Sequence, residues 1–141
     1  MASYLWLFLA TLSVFICISD VKNRHISNFN CVCIFVLCLL IFINNCDYLS
    51  IINSCLVLIC GFMLNRFSMI GGGDAKLLFA FSIAIAPNYL LLTIMLIIFV
   101  GGLQAAILIL FSWFKREPYT RGVPYGFAIC IGSLFGIAAS I

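Results

Sequence analysis

Apolar residues run along this chain in six long stretches separated by short polar segments. The stretches cover residues 2–19, 26–43, 49–64, 75–86, 89–113 and 125–141. A helix that crosses a bilayer needs about 20 predominantly apolar residues. The pattern therefore predicts an all-α, polytopic membrane protein with six transmembrane helices, folded as a single membrane-embedded domain over residues 1–141. The fourth stretch is too short to cross unaided, so it is expected to be a short or re-entrant helix. Either the glycines at 71–73 enter the membrane or Asp74 lies below its surface. Backbone that leaves the helix at that depth must be enclosed by protein or line a water-filled cavity. Pro87-Asn88 reads as a tight turn between the fourth and fifth stretches. The first stretch has no basic residue ahead of it and is followed by further spans, so it is expected to be a retained helix rather than a secretory signal.

Composition sharpens this picture. Apolar residues make up 66% of the chain and charged residues 8%, against about 45–50% and about 25% in soluble domains. A core of 141 residues could not hide that much apolar surface from water, which leaves lipid as the solvent. The net charge of +3 does not indicate nucleic-acid binding, because the seven basic residues are confined to short segments between apolar runs. Lys22, Arg24 and His25 follow the first stretch, Arg66 and Lys76 flank the glycines after the third, and Lys115, Arg116 and Arg121 follow the fifth. The segments at 44–48 and 87–88 carry no Lys or Arg. The positive-inside rule then places the basic side in the cytoplasm and both termini outside.

The chain has only four acidic residues, Asp20, Asp47, Asp74 and Glu117. Asp20 closes the first apolar run and Asp74 opens the fourth, both on the basic side. An ionisable group at a membrane boundary is costly and marks a candidate functional site. Two carboxylates able to meet at one depth point to aspartyl-type hydrolysis. Asp47 faces the other side and reads as a solvated loop charge. Gly71, Gly72 and Gly73 directly precede Asp74. Glycine permits positive φ and close backbone approach, so the run is expected to bring backbone close to another group while Asp74 is held in place. Asp74 also suits a helix N-terminus through capping and the macrodipole. That account does not extend to Asp20, because a negative charge at the C-terminal end of a span opposes the dipole.

Three segments carry a resemblance. Ser19-Asp20-Val21-Lys22-Asn23-Arg24-His25-Ile26-Ser27-Asn28 resembles the first aspartate motif of the type IV prepilin peptidases, commonly D-x-x-x-R-x-I-P-N. Gly71-Gly72-Gly73-Asp74-Ala75-Lys76-Leu77-Leu78 resembles their G-x-G-D motif with its K-L-L continuation. Val123-Pro124-Tyr125-Gly126-Phe127-Ala128-Ile129 resembles the P-Y-G-x-A-I segment that opens the last helix. The resemblance covers nearly the whole chain. It implies an intramembrane-type aspartic endopeptidase of the bacterial inner membrane, with Asp20 and Asp74 as the catalytic pair. Such enzymes cut the basic leader from prepilin-like proteins at the cytoplasmic face. Their partners are a prepilin-like substrate and membrane lipid.

Around that pair, Gly71, Gly73, Lys76, Arg24, Asn28, Pro124 and Tyr125 are supporting candidates. Lys76 either tunes Asp74 or snorkels to the interface. Arg24 pairs with a carboxylate or lipid phosphate, or only sets topology. Asn28 either bonds near the Asp20 loop or simply starts a helix. Pro124 and Tyr125 shape the start of the last helix, with Tyr125 also suited to an interfacial belt. The usual proline of the first motif is Ser27 here. The larger relatives carry a cytoplasmic insert with paired Cys-x-x-Cys motifs and also methylate the new pilin N-terminus. No segment of that kind stands between the first stretch and Asp20, so the chain resembles the short, peptidase-only form of tight-adherence (Tad/Flp) pilus systems. Archaeal preflagellin peptidases share the aspartate pair. No metal site or cofactor motif is recognisable. The eight cysteines form no Cys-x-x-Cys and mostly suit small buried apolar positions. Cys46 alone lies in a predicted external loop. Two other classes remain: a small channel or transporter lined by Asp20 and Asp74, and a non-catalytic subunit of a secretion machine.

Overall fold

A computed structural model of the chain describes residues 2–23, 26–45, 48–67, 70–115 and 123–141. These residues form six helices: α1 (Ala2–Asn23), α2 (Asn28–Asn45), α3 (Tyr48–Arg66), α4 (Gly72–Ser82), α5 (Pro87–Lys115) and α6 (Tyr125–Ser140). Every apolar stretch has become one helix. Three of them, at Tyr4–Asn23, Tyr48–Arg66 and Pro87–Phe114, are long and apolar enough to cross a membrane, and Asn28–Ile43 and Tyr125–Ser140 are shorter apolar helices.

Two boundaries differ from the sequence expectation. Pro87 does not sit in a turn with Asn88 but opens α5. Proline suits the first helical position, where its missing N–H has no partner to lose and its fixed φ is already helical. The turn falls earlier, where the Ala84 and Ile85 amides donate to the carbonyls of Phe81 and Ser82. The Ser140 hydroxyl accepts from the Ala86 N–H at 2.9 Å, fastening this turn to the end of α6. The second difference concerns α1, which runs one turn past its apolar stretch and carries Asp20 inside its last turn rather than after it.

The bundle is organised around α4. This 11-residue helix packs against α2, α3 and α6, and Ala75, Leu77, Ala80 and Phe81 on it are buried. Close approach explains the tightness: a Cβ at Gly61 of α3 would lie 3.1 Å from the Ala75 Cβ of α4. Helix α6 is gripped in the same way. Gly132 and Gly136 face Ile97 and Thr93 of α5 with no room for a methyl group. Small residues of this kind let membrane helices approach closely.

The interior combines an apolar core with small hydroxyl side chains, and large apolar side chains also cover the outside. Ser13, Ser50, Ser54, Ser82, Thr93 and Ser133 are buried, while Phe8, Phe15, Phe62, Phe99 and Phe111 point outward. The buried hydroxyls mostly close bonds to backbone carbonyls, as Ser50 does to Ile85 at 3.1 Å and Ser54 to Ser50 at 2.6 Å. Outward aromatics and inward small polar residues match a hydrocarbon surround, where helices associate by packing and hydrogen bonds. Cysteine placement is more mixed than expected. Cys31, Cys38 and Cys130 are buried, but Cys55 and Cys60 face outward from α3. A thiol is apolar enough to face lipid as readily as core. Cys46 lies outside the described residues.

Candidate active site

The contacts between helices bring one set of ends together. Along α1 and α6 the partners run in opposite directions, from Asp20 with Gly126 to Trp6 with Leu134. Between α3 and α4 they run from Asn65 with Gly72 to Ser50 with Ile85. Helix α2 starts beside the start of α4. The C-terminal ends of α1 and α3 therefore meet the N-terminal ends of α2, α4 and α6. Lys22, Arg66 and Lys76 are exposed at this end. Arg24, like His25, Arg116 and Arg121, lies outside the described residues.

Asp20 is buried, with 6% of its surface exposed. Its Oδ2 accepts the backbone N–H of Gly126 at 2.9 Å. Gly126 is the second residue of α6, where the N–H groups have no partner within the helix. The carboxylate at the unfavourable end of α1 is thus placed on the favourable end of α6, whose dipole and free N–H groups suit an anion. That contact needs glycine. A Cβ at Gly126 would stand 2.6 Å from Asp20 Oδ2, 2.9 Å from its Cγ and 3.2 Å from its Cβ. Gly126 was no site candidate by sequence; its place in the P-Y-G segment was the available signal.

Asp74 is the third residue of α4, after the N-cap Gly71. Its carboxylate folds back to accept the Gly71 N–H, the acidic half of a capping box. It is half-buried and lies ahead of the apolar run at 75–86. Desolvation and the neighbouring Asp20 charge push its carboxyl up to about 6, with the Gly71 N–H pulling the other way. The two aspartates, far apart in sequence, thus lie close enough for each to feel the other's charge.

The glycine run works by space rather than by unusual dihedrals. Gly71 has φ −65 and ψ 142, an extended conformation open to any residue, and Gly72 and Gly73 already belong to α4. A Cβ at Gly71 would meet Asp74 Oδ2 at 2.9 Å, and one at Gly73 would meet the Ile26 Cβ at 3.3 Å. The expected close approach is present, but positive φ is not needed for it. Asn65 clamps the approach to the run by donating from Nδ2 to the Ile70 carbonyl at 2.8 Å.

The remaining candidates take plainer places. Lys76 donates to Asn28 Oδ1 at 3.2 Å on the exposed surface, joining α4 to the first residue of α2. Ser27, where the motif usually has proline, accepts the Phe29 N–H on its hydroxyl at 3.3 Å and so caps α2. Pro124 is the N-cap of α6, and the Tyr125 ring rests in the space left by Gly101 of α5. Gln104 of α5 was not anticipated; its Nε2 donates to the Pro124 carbonyl at 3.2 Å. Among the described residues there is no cluster of three or more His, Cys, Asp or Glu side chains suited to a metal ion.

A family model for the type IV leader peptidase family matches residues 7–110, a span that includes both aspartates and ends before α6. The chain belongs to that family, and it is a membrane peptidase by that membership. No curated protein and no solved structure gives a match.

Proposed function

We propose that this protein is an aspartic endopeptidase that removes the basic leader of type IV prepilin-like precursors, using Asp20 and Asp74 as its reacting pair. The observation that carries the proposal is the meeting of the chain's two boundary aspartates at one end of the bundle, where Asp74 feels the charge of Asp20. Two close carboxylates hold one proton between them, and their titration belongs to the pair.

Their surroundings support distinct roles. Asp20 receives the Gly126 N–H on Oδ2 at a helix N-terminus, a contact that orients it as the proton acceptor of this scheme. Asp74 is raised towards the protonated form. Asp20 then takes a proton from water as the water oxygen attacks the scissile carbonyl carbon. Asp74 gives its proton to the carbonyl oxygen, forming a gem-diol. As the C–N bond breaks, a proton from the carboxyl pair passes to the leaving nitrogen, and a gem-diol hydroxyl returns one to the pair. Each carboxyl contributes as general acid or base.

In this proposal all six helices cross the bacterial inner membrane, with α4 and the following turn completing the short fourth passage. Both termini lie outside and the Asp20–Asp74 end faces the cytoplasm, as the basic residues favour. That side meets a leader before it is exported. Helix α1 runs unbroken from the first apolar stretch through Asp20, which leaves no place for an insert there and favours the short Tad/Flp-type form and cleavage without methylation. A proton or ion path is favoured less, because among the described residues the acidic side chains are Asp20 and Asp74 alone, both at one end. The deciding experiment is cleavage of a Flp-type precursor by the purified protein in vesicles. A precursor shortened by its basic leader is expected. An intact precursor in every case, with archaeal preflagellin cut instead, would move the substrate to the neighbouring class.

A further inference from the structure

We propose that Gln104 is a positioning residue of the peptidase site, acting through Pro124 and the first turn of α6 on Asp20. The proposal rests on Asp20 being one of the reacting pair. Gln104 interrupts an apolar helix between Leu103 and Ala105. Its amide is a costly group to enclose unless its polar atoms are bonded. Nε2 donates to the Pro124 carbonyl. Oε1 is enclosed and has no hydrogen-bond partner among the described residues. Turning the amide over would not help, because a carbonyl oxygen cannot donate to Pro124. Half of this side chain is therefore a burden on stability, and Met or Leu would fill the place without it.

What the other half does is specific. Helix α6 has no side-chain cap of its own: Pro124, at its N-cap, makes no side-chain cap bond. Two neighbours secure that first turn instead. Gln104 holds the Pro124 carbonyl from α5, and Asp20 holds the Gly126 N–H from α1. Between them the Tyr125 ring lies against Gly101, one turn before Gln104 on α5, where a Cβ would meet its Cε1 at 3.1 Å. The bonds run in series from α5 through residues 124–126 to Asp20. Freed from Gln104, the start of α6 drifts, and the N–H that orients the Asp20 carboxylate drifts with it. Misplacing a reacting group by about 1 Å is enough to cost roughly 100-fold in rate.

The test compares wild type with Gln104→Met in vesicles, with Gly102→Ala as a control. A Cβ at Gly102 meets nothing within 4 Å, so that variant is expected to match wild type. Gln104→Met preserves length and apolar volume and removes both polar atoms. It is expected to unfold thermally at or above the wild-type temperature. Its kcat for leader cleavage should fall about 10-fold with KM unchanged. Hydrogen exchange of the amides at residues 125–128 should quicken about 2- to 10-fold, the range one neutral hydrogen bond supports. The rest of α6 should exchange as before. Wild-type kcat in Gln104→Met, or a lower kcat with unchanged exchange at 125–128, overturns the proposal. If wild type cuts no prepilin-like precursor, the proposed function fails and the positioning role fails with it, whereas unchanged exchange at 125–128 overturns the hold of Gln104 on α6 alone.

Discussion

Asp20 and Asp74 reach the same place by opposite routes. Asp74 is held locally: its partner is Gly71, three residues earlier, and its own helix supplies the favourable dipole end. Asp20 is held from a distance: its partner Gly126 is 106 residues away, and the favourable dipole belongs to α6. The Asp74 cap uses only residues of its own segment. The Asp20 arrangement exists only once α1 and α6 have packed. The proposed site is therefore complete only in the assembled bundle.

The largest break removes either charge. Asp20→Asn and Asp74→Asn each preserve size and most hydrogen-bonding capacity while removing the proton exchange the pair depends on. Each is expected to lower leader cleavage by at least about 100- to 10,000-fold, the usual contribution of general acid–base catalysis. The double variant should lose little more, because groups acting as a unit are non-additive. Initial rates on a purified precursor, normalised to inserted protein, check this. Near wild-type cleavage by Asp20→Asn would end the assignment.

A subtler break separates the two routes. Gly126→Ala presses a methyl against the Oδ2, Cγ and Cβ of Asp20, and a Cβ cannot be rotated away. The carboxylate must shift or α1 and α6 must part, so a loss of about 100-fold is expected. Gly71→Ala meets Asp74 only at Oδ2 and, at 3.6 Å, Cγ, atoms that a χ rotation can move, and its backbone conformation accepts alanine. The loss there should stay below about 10-fold, the scale of one neutral hydrogen bond. Equal losses in the two variants would show that local and distant holding do not differ in rigidity.

Acidity offers a third contrast. Burial and the Asp20 charge raise Asp74 to about 6 from its ordinary 3.8. A raised carboxyl is protonated in the folded protein over a window where it would otherwise be ionised. If protonated Asp74 supplies the acid, cleavage is favoured below the raised value and declines as pH rises through about 6, with roughly tenfold loss per unit beyond it. The limb describes the pair rather than one residue. A pH–rate profile of kcat/KM in vesicles measures it, and a flat profile from pH 5 to 8 would assign the acid elsewhere.

How much of this was legible in the sequence follows the same division between local and distant. Asp74 with its glycines, Asn28 at a helix start and Tyr125 opening α6 depend on neighbours in the chain, and their pattern could be read there. The chain's switch between apolar and polar runs likewise marks six helices within a few residues. Pro87 misled because proline suits both turns and first helical positions, and only the packing of Ala86 against Ser140 decides which. The glycine run misled in its cause, since free dihedrals and free space leave the same signature. Asp20 looked misplaced on α1 because the helix that accommodates it begins a hundred residues later. Gln104 carried a weak signal, one amide in an apolar helix, but nothing local names Pro124 as its partner.

The smallest expected effect tests whether the exposed rim matters to either aspartate. Lys76 lies two residues beyond Asp74 and on the same helix, which makes it the obvious electrostatic helper. Its ammonium is spent elsewhere, on Asn28 Oδ1 at the exposed surface. Exposed polar contacts of this kind are worth about 0–1 kcal/mol. Lys76→Met keeps the stem and removes the charge, and Asn28→Ala removes the acceptor and leaves the Ser27 cap of α2 in place. Each variant, and both together, should change kcat by less than about threefold, with effects that do not add, since either one already breaks the bond. A basic leader would be repelled rather than attracted by Lys76, so KM should not rise in Lys76→Met. A loss of kcat above tenfold in Lys76→Met but not in Asn28→Ala would show that the charge acts on Asp74 directly. The two carboxylates would then be less alike in isolation than their positions suggest, with Asp74 depending on a cation as well as on its own helix.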